Sequence, residues 1–246
     1  MLNSATFAAN SNQHKILVAE IGKGSNMRRI QPITFIERIL RDCFRRNWTS
    51  IKVVTASLSS VIFISGFVTL LAFTLTPPVI SLMEAVIQSE RSYIAIPPPS
   101  SEALYYFIFL NNSGAFWNPP KMIVWAPFVG LLVLGLDLIL NGIVLGAIAV
   151  WAGVTYGVVY PIFGLTPHGI LEIPAFILQF ASIIVWQQVS IKAILTKLGG
   201  RNVDMQEFKQ GLKDALTLAA LSILLFALAA YIETYITPHL LEIVRH

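Results

Sequence analysis

Long apolar blocks with few charged residues alternate with more polar segments along most of the chain. The first block, residues 53–76, holds 24 positions without a charged residue, and a helix needs about 20 apolar residues to cross a bilayer core. Four further blocks have a similar character. We therefore predict an all-α, polytopic transmembrane helical bundle of about five spans, at residues 53–76, 122–140, 142–160, 170–190 and 215–236.

The stretch between the first two predicted spans has a more broken pattern. Residues 79–90 have the spacing of a short amphipathic helix, and residues 103–112 are apolar but too short to cross a bilayer. The run SGAFWNPPK, residues 113–121, then interrupts the apolar pattern. We predict an interfacial or re-entrant element over residues 103–112. The alternative is an extra span, which would invert the topology of everything downstream.

A basic helix precedes the first span. Apolar residues recur at helical spacing in residues 33–48, whereas Arg38, Arg41, Arg45 and Arg46 fall largely on other faces. The pattern predicts a basic amphipathic helix that contacts anionic lipid headgroups, or alternatively a solvated helix that only leads into the span.

The chain divides into three predicted regions. Residues 1–52 form a cytoplasmic N-terminal region, residues 53–236 the transmembrane helical domain, and residues 237–246 a short C-terminal tail. Within the first region we expect residues 1–29 to be a loosely ordered tail, or to hold a small element around Ile16–Ile21.

Composition supports a membrane protein. Hydrophobic residues make up 55% of the chain and charged residues 12%, whereas a soluble domain carries about 25% charged residues. The lone cysteine, Cys43, excludes an internal disulfide framework and a Cys-x-x-Cys metal site. The net charge of +4 does not point to nucleic acid, because membrane proteins concentrate Lys and Arg in cytoplasmic loops.

The basic residues also predict the topology. Residues 1–52 carry nine Lys and Arg residues and residues 191–213 carry five. With five spans, Arg91, Lys121 and Arg245 remain for the other side. We predict a multi-pass protein of the cell membrane whose N-terminus is cytoplasmic and whose C-terminus is external.

Ionisable residues inside the apolar blocks are the candidate functional residues, because a charged group in a bilayer needs a partner, a cavity or the interface. Asp137 and Asn141 lie at the predicted junction of the second and third spans, and we interpret them chiefly as caps of a hairpin there. His168 and Glu172 are four residues apart, so one helical face would bring them within reach of each other.

Two prolines complicate the segment that holds this pair. Thr166 and Pro167 suit the start of a helix, while Pro174 disfavours a regular helix around it. The segment is therefore either a helical turn before a kink or a loop before a helix that starts near Pro174. We expect Gly169 to permit close approach of another helix.

Three roles for His168 and Glu172 remain open: a structural pair, a contact with a partner or polar ligand, or catalysis or metal binding. We favour the structural role. One His and one Glu are a weak metal signature, and the chain has no serine-nucleophile motif, His-Glu-x-x-His motif or phosphate-binding glycine loop. We therefore expect no enzyme, no metal and no cofactor.

Small residues mark one face of the third predicted span. Gly142, Gly146, Gly153 and Gly157 keep a common helical face, and small residues let helices approach closely in lipid. The stripe predicts a packing face, used either inside the monomer or for self-association.

Three stretches resemble one known family in the same order. FLNNSGAF, LNGIVLGAIA and PHGILEIPAFIL resemble the integral membrane proteins of the stage II sporulation protein M family, over about residues 104–195. The motif residues are Asn111, Asn112, Asn141, Gly142, Pro167, His168, Gly169 and Glu172. The SGAFWNPPK run departs from the family, in which the Asn pair leads into an uninterrupted helix.

The resemblance implies a scaffold or anchor in a membrane complex, because sporulating members work with peptidoglycan-degrading partners during engulfment of the forespore. The expected partners are the lipid bilayer and other membrane proteins, with no nucleic acid. The alternative function is a permease or channel subunit for a small polar solute, alone or with a separate ATPase. An intramembrane enzyme that uses His168 and Glu172 is the least favoured hypothesis.

Overall fold

A computed structural model describes residues 32–76, 78–93 and 97–244, and these residues form helices and turns without a strand. The predicted tail over residues 1–29 and the element around Ile16–Ile21 lie outside the described residues. The helices are α1 Pro32–Leu75, α2 Pro78–Tyr93, α3 Glu102–Asn112, α4 Val129–Tyr156, α5 Val159–Leu198, α6 Met205–Tyr231 and α7 Thr237–Val244. Two 3-10 turns, Gly114–Phe116 and Lys121–Trp125, follow α3, and a π-helical turn, Ile232–Ile236, joins α6 to α7.

The predicted class, an all-α polytopic transmembrane bundle, is confirmed. Four helical stretches of the described chain are long and apolar enough to cross a membrane. The shortest has 28 residues, which at 1.5 Å per residue is about 42 Å, more than the roughly 30 Å of a hydrocarbon core. These stretches are Phe35–Leu75, Val129–Tyr156, Val159–Leu198 and Met205–Ile243.

The chain divides into two compact units, Met1–Asp42 and Cys43–His246. In the described part of the first unit, Arg41 forms an exposed ion pair with Glu37 one turn earlier on α1. The amphipathic stretch predicted over residues 33–48 is thus part of α1, which continues without interruption past residue 52. The short helix predicted over residues 79–90 is present as α2.

The second and third predicted spans are one helix, so the hairpin predicted at Asn141 is wrong. Helix α4 passes through this position, and the Asn141 side chain donates to the backbone oxygen of Asp137 at 2.8 Å and to its Oδ1 at 3.1 Å. Gly142 makes no turn. It packs on α1, where a Cβ would lie 2.7 Å from Val61 Cγ1.

A segment of interrupted helical structure precedes α4 in the chain, and we call it the broken segment. It comprises α3 and the two 3-10 turns, residues 102–125; α3 packs on α6 and the π-helical turn, and the second 3-10 turn packs on α5. Asn112 bonds to Glu172, and the oxygen of Val124 accepts a hydrogen bond from Gln187 at 2.7 Å. Fifteen helical positions separate these two α5 residues, so the segment advances about 22 Å along α5.

Side chains of α5 satisfy the backbone of the broken segment. Gln187 is fully buried, and its Nε2 donates to the oxygens of Val124 and Ala126 at 2.7 and 2.9 Å. Trp186 Nε1 donates to the oxygen of Trp125 at 2.8 Å. Irregular backbone is tolerated at membrane depth where protein groups satisfy it. Residues 103–112 are therefore the first part of a protein-lined segment.

Helices α5 and α6 form the centre of the bundle. Ser182 Oγ donates to the backbone oxygen of Ala215, and Ser222 Oγ donates to that of Ala175, both at 2.9 Å. Such hydrogen bonds and small residues stabilise helix pairs in lipid. The link between the helices is short, because Gly200 has a φ of 72° that suits glycine and Asp204 caps α6.

Candidate functional site

Polar side chains from three separate segments meet on one side of α5. His168 and Glu172 come from α5, Asn112 from the end of α3, and Glu233 from the π-helical turn. Asn112 Nδ2 donates to Glu172 Oε1 at 2.7 Å, and His168 Nε2 lies 3.7 Å from Glu172 Oε2. The nitrogen and carboxylate atoms of His168, Glu172 and Glu233 nearest one another all lie within 4.8 Å. We call these three residues the His-Glu-Glu cluster.

Helix α5 positions the first two members. It begins at Val159 and continues through Pro167 and Pro174, so Thr166 and Pro167 do not start a helix. Each proline lacks an N–H and leaves the carbonyl four residues earlier without its helical partner. The helix persists because the bilayer offers the backbone no alternative donors, which favours every remaining internal hydrogen bond. The predicted i, i+4 juxtaposition of His168 and Glu172 is thus present on a continuous helix.

The third member, Glu233, was missed by the sequence analysis. It belongs to the π-helical turn Ile232–Ile236, and π turns inside α-helices occur frequently at functional sites. The extra residue of such a turn changes the direction of the side chains that follow, which hydrophobic periodicity does not predict. The signal available in the sequence was a carboxylate within the apolar block 215–236.

A second group of polar residues lines a cavity of about 220 Å³ next to the cluster. Asn112 belongs to both places, since it lines the cavity and donates to Glu172. At the cavity wall, Lys121 Nζ donates to the backbone oxygen of Asn111 at 2.9 Å. The polar lining residues are Asn111, Asn112, Lys121, Asp137, Asn141 and Gln179.

The structure therefore brings together most of the polar residues singled out from the sequence. Asn111, Asn112, Asp137 and Asn141 share the cavity, and His168 and Glu172 lie beside it. Pro167 and Gly169 flank His168 on α5. A Cβ at Gly169 would meet no atom of the described chain within 4 Å, so the expected close helix approach at Gly169 is not found among these residues.

The glycine stripe has two different surroundings. A Cβ at Gly142 or Gly146 would clash with α1, at 2.7 Å from Val61 Cγ1 and 2.4 Å from the Ile62 oxygen respectively. Gly153 has only ordinary contact with Pro161, at 3.7 Å. Gly157 lies beyond the helix end with a φ of 88°, where glycine is favoured for its backbone.

The family model described as Stage II sporulation protein M matches residues 59–238 of this chain. The chain belongs to the stage II sporulation protein M family. The resemblance seen in the sequence is thereby confirmed. An uncharacterized protein of Methanocaldococcus jannaschii is similar, at 36% identity over 74 residues, which is 30% of this chain and 39% of that relative. No solved structure matches the chain.

In this stage II sporulation protein M family member, the cluster and the cavity lie inside the matched region. The matched residues 59–238 include Asn112, His168, Glu172 and Glu233, whereas the basic start of α1 lies before residue 59. Two carboxylates and an imidazole at this spacing can share a proton, bind a polar ligand or hold a cation.

Proposed function

We propose that this chain is a multi-pass scaffold of the cell membrane that anchors other proteins in a membrane complex. Membership of the stage II sporulation protein M family is the observation that carries the proposal. The family resemblance implies membrane-protein partners and partners that act on the cell wall.

The outer face of α1 supports this function. Phe63 is 75% exposed and Phe67 55% exposed, whereas Leu58 on the same helix is 4% exposed and packs inward. In a bilayer, such an apolar face contacts lipid tails or the helix of another membrane protein. Gly142 and Gly146 are already occupied by α1, so self-association through the stripe would use Gly153 and Gly157.

Photocrosslinking in native membranes tests the scaffold function. A photoreactive amino acid at Phe67 should give a covalent adduct with a second membrane protein or a cell-wall hydrolase. The matched control is the same amino acid at Leu58, which is buried on the same helix and should give only intramolecular products. Lipid adducts alone at Phe67, together with no stable partner after co-purification, would contradict the scaffold.

A second candidate function is a permease or channel subunit for a small polar solute. The polar cavity beside α5 favours it, because ionisable and amide side chains within membrane helices are costly unless they face a cavity or partners. The same co-purification separates the two functions. A nucleotide-binding protein as the stable partner would favour transport, whereas a cell-wall hydrolase would favour the scaffold.

The proposed orientation places the N-terminus in the cytoplasm and the C-terminus outside. Arg46 of α1 pairs with Asp214 near the start of α6, so this part of α1 and the start of α6 lie at one end of the bundle. In the proposed topology, the side with residues 1–52 and 191–213 has the larger number of Lys and Arg residues, and the positive-inside rule assigns it to the cytoplasm.

A further inference from the structure

The hydrogen bonds of the His-Glu-Glu cluster do not explain why two carboxylates lie so close together in an apolar bundle. Glu172 is bonded by Asn112, a neutral donor. Among the described residues, no Lys or Arg forms an ion pair with Glu172 or Glu233. Two carboxylates this close to each other in an apolar bundle need a cation or protons, because buried charges in proteins are paired or bound to metals.

The buried and unpartnered side chain of His168 is a second, independent observation. Its side chain is only 9% exposed, and its Nδ1 is buried without a hydrogen-bond partner among the described residues. Its Nε2 points at Glu172 Oε2 from 3.7 Å, which is too long for a hydrogen bond. Metal–ligand bonds of about 2.0–2.2 Å in a tetrahedral site place neighbouring ligand atoms roughly 3.4 Å apart. The observed separation is therefore close to that of two ligands of one ion.

We propose that His168, Glu172 and Glu233 bind a divalent transition-metal ion of the Zn²⁺ type. An imidazole nitrogen with carboxylate oxygens is a ligand set that suits such ions, whereas Mg²⁺ and Ca²⁺ prefer oxygen ligands throughout. Three protein ligands leave a fourth position for water or for a group from a partner.

Two structural features arrange the ligands. Asn112 holds Oε1 of Glu172, which leaves Oε2 directed at His168, and orienting bonds of this kind are typical around bound metals. The π-helical turn brings Glu233 to the other two ligands from the far end of α6. A bound ion would thus join α5 to the end of α6. The proposal does not depend on the scaffold function.

Zinc binding to the purified full chain tests the site. The protein in detergent is stripped with a chelator, dialysed against Zn²⁺ and analysed for metal per chain. The wild type should retain one ion. Glu233→Gln should bind roughly 100-fold more weakly or worse, since even an orienting residue is worth 10–100-fold in metal affinity. By the same reasoning Asn112→Ala should weaken binding about 10–100-fold.

The matched control is Glu242→Gln. Glu242 also lies 3.7 Å from a histidine, His239, but that pair is exposed and has no third ligand in the described chain. This variant should bind zinc like the wild type. Size-exclusion chromatography identifies variants that do not fold, and Asn112→Ala then replaces Glu233→Gln. A wild type that binds no zinc, or equal binding by wild type and Glu233→Gln, would overturn the site in favour of carboxyl groups that share a proton or of ions bound elsewhere.

Discussion

At the scale of single residues, the carboxylate of Asp214 has the strongest structural role that the contacts indicate. It is 3% exposed and accepts hydrogen bonds from Arg46 at 2.7 and 2.8 Å, from Gln210 at 2.9 Å and from Asn47 at 3.1 Å. These bonds tie α1 to the start of α6.

Asp214→Asn should therefore destabilise the protein. The amide keeps the shape but loses the charge and half of the acceptor capacity, so we expect a loss of about 1–3 kcal/mol in the free energy of unfolding. Part of the Arg46 charge is solvated, since its side chain is 42% exposed, which limits the cost. Denaturant unfolding in detergent, followed by circular dichroism, measures the effect.

The control for this prediction is Glu207→Gln, which removes the exposed ion pair with Lys192. Exposed pairs contribute about 0–1 kcal/mol, so this variant should unfold close to the wild type. Equal unfolding midpoints for Asp214→Asn and the wild type would show that the buried network adds no net stability.

Only part of the candidate site could be predicted from the sequence at this scale. The spacing of His168 and Glu172 predicted their proximity, because residues four apart share a helical face. Asn112 and Glu233 are more than 50 positions away from both members of this pair, and only the tertiary packing of α3 and of the π-helical turn brings them near. Local periodicity holds no information about such packing.

At the scale of elements, turn-forming residues misled the prediction in two places. Asn141–Gly142 resembled a hairpin, and Pro167 resembled a helix start, yet both lie within continuous helices. The reason is the solvent: inside a bilayer a turn would expose backbone groups without partners, so helices continue through residues that end them in water. The apolar blocks themselves fixed the helical class correctly, because their length and hydropathy directly reflect the bilayer.

Packing of α1 against α4 gives an element-scale prediction. A Cβ at Gly146 would lie 2.4 Å from the backbone oxygen of Ile62, and Ser65 Oγ donates to the Ile143 oxygen at 2.8 Å in the same contact. Gly146→Ala should force the two helices apart and lower the free energy of unfolding by about 1–3 kcal/mol. A lowered midpoint in thermal unfolding of the detergent-solubilised protein would report it.

Gly135→Ala is the matched control on the same helix. A Cβ there meets no described atom within 4 Å, and alanine has a better helix propensity than glycine by roughly 1 kcal/mol. We expect this variant to be as stable as the wild type or slightly more stable. If both variants behaved alike, the close contact between α1 and α4 would not form in the membrane protein.

At the scale of the whole molecule, the proposed topology of five passes requires the broken segment to cross the bilayer in addition to the four long helices. The start of this segment at Glu102 shares a surface pocket with Tyr231 and Tyr235, and its end reaches Gln187 on α5. Helix α4 then begins at the level of Gln187 along α5, since a Cβ at Gly130 would lie 2.2 Å from Gln187 Nε2. The segment thus advances in the direction of α5, and we expect it to supply the pass between α1 and α4.

The proposed topology predicts on which side of the membrane Glu102 and Lys209 lie. Lys209 precedes Tyr231 by 22 residues on α6, which is about 33 Å of helix and close to the thickness of a bilayer core. In intact cells, an impermeant maleimide should label Glu102→Cys and not Lys209→Cys, and after permeabilisation both should react. Native Cys43 is fully buried and should not react with the maleimide in any sample.

Labelling of both introduced cysteines from outside would mean that the broken segment and the long helices do not give five passes. Labelling of Lys209→Cys alone from outside would instead keep the five passes and reverse the proposed orientation.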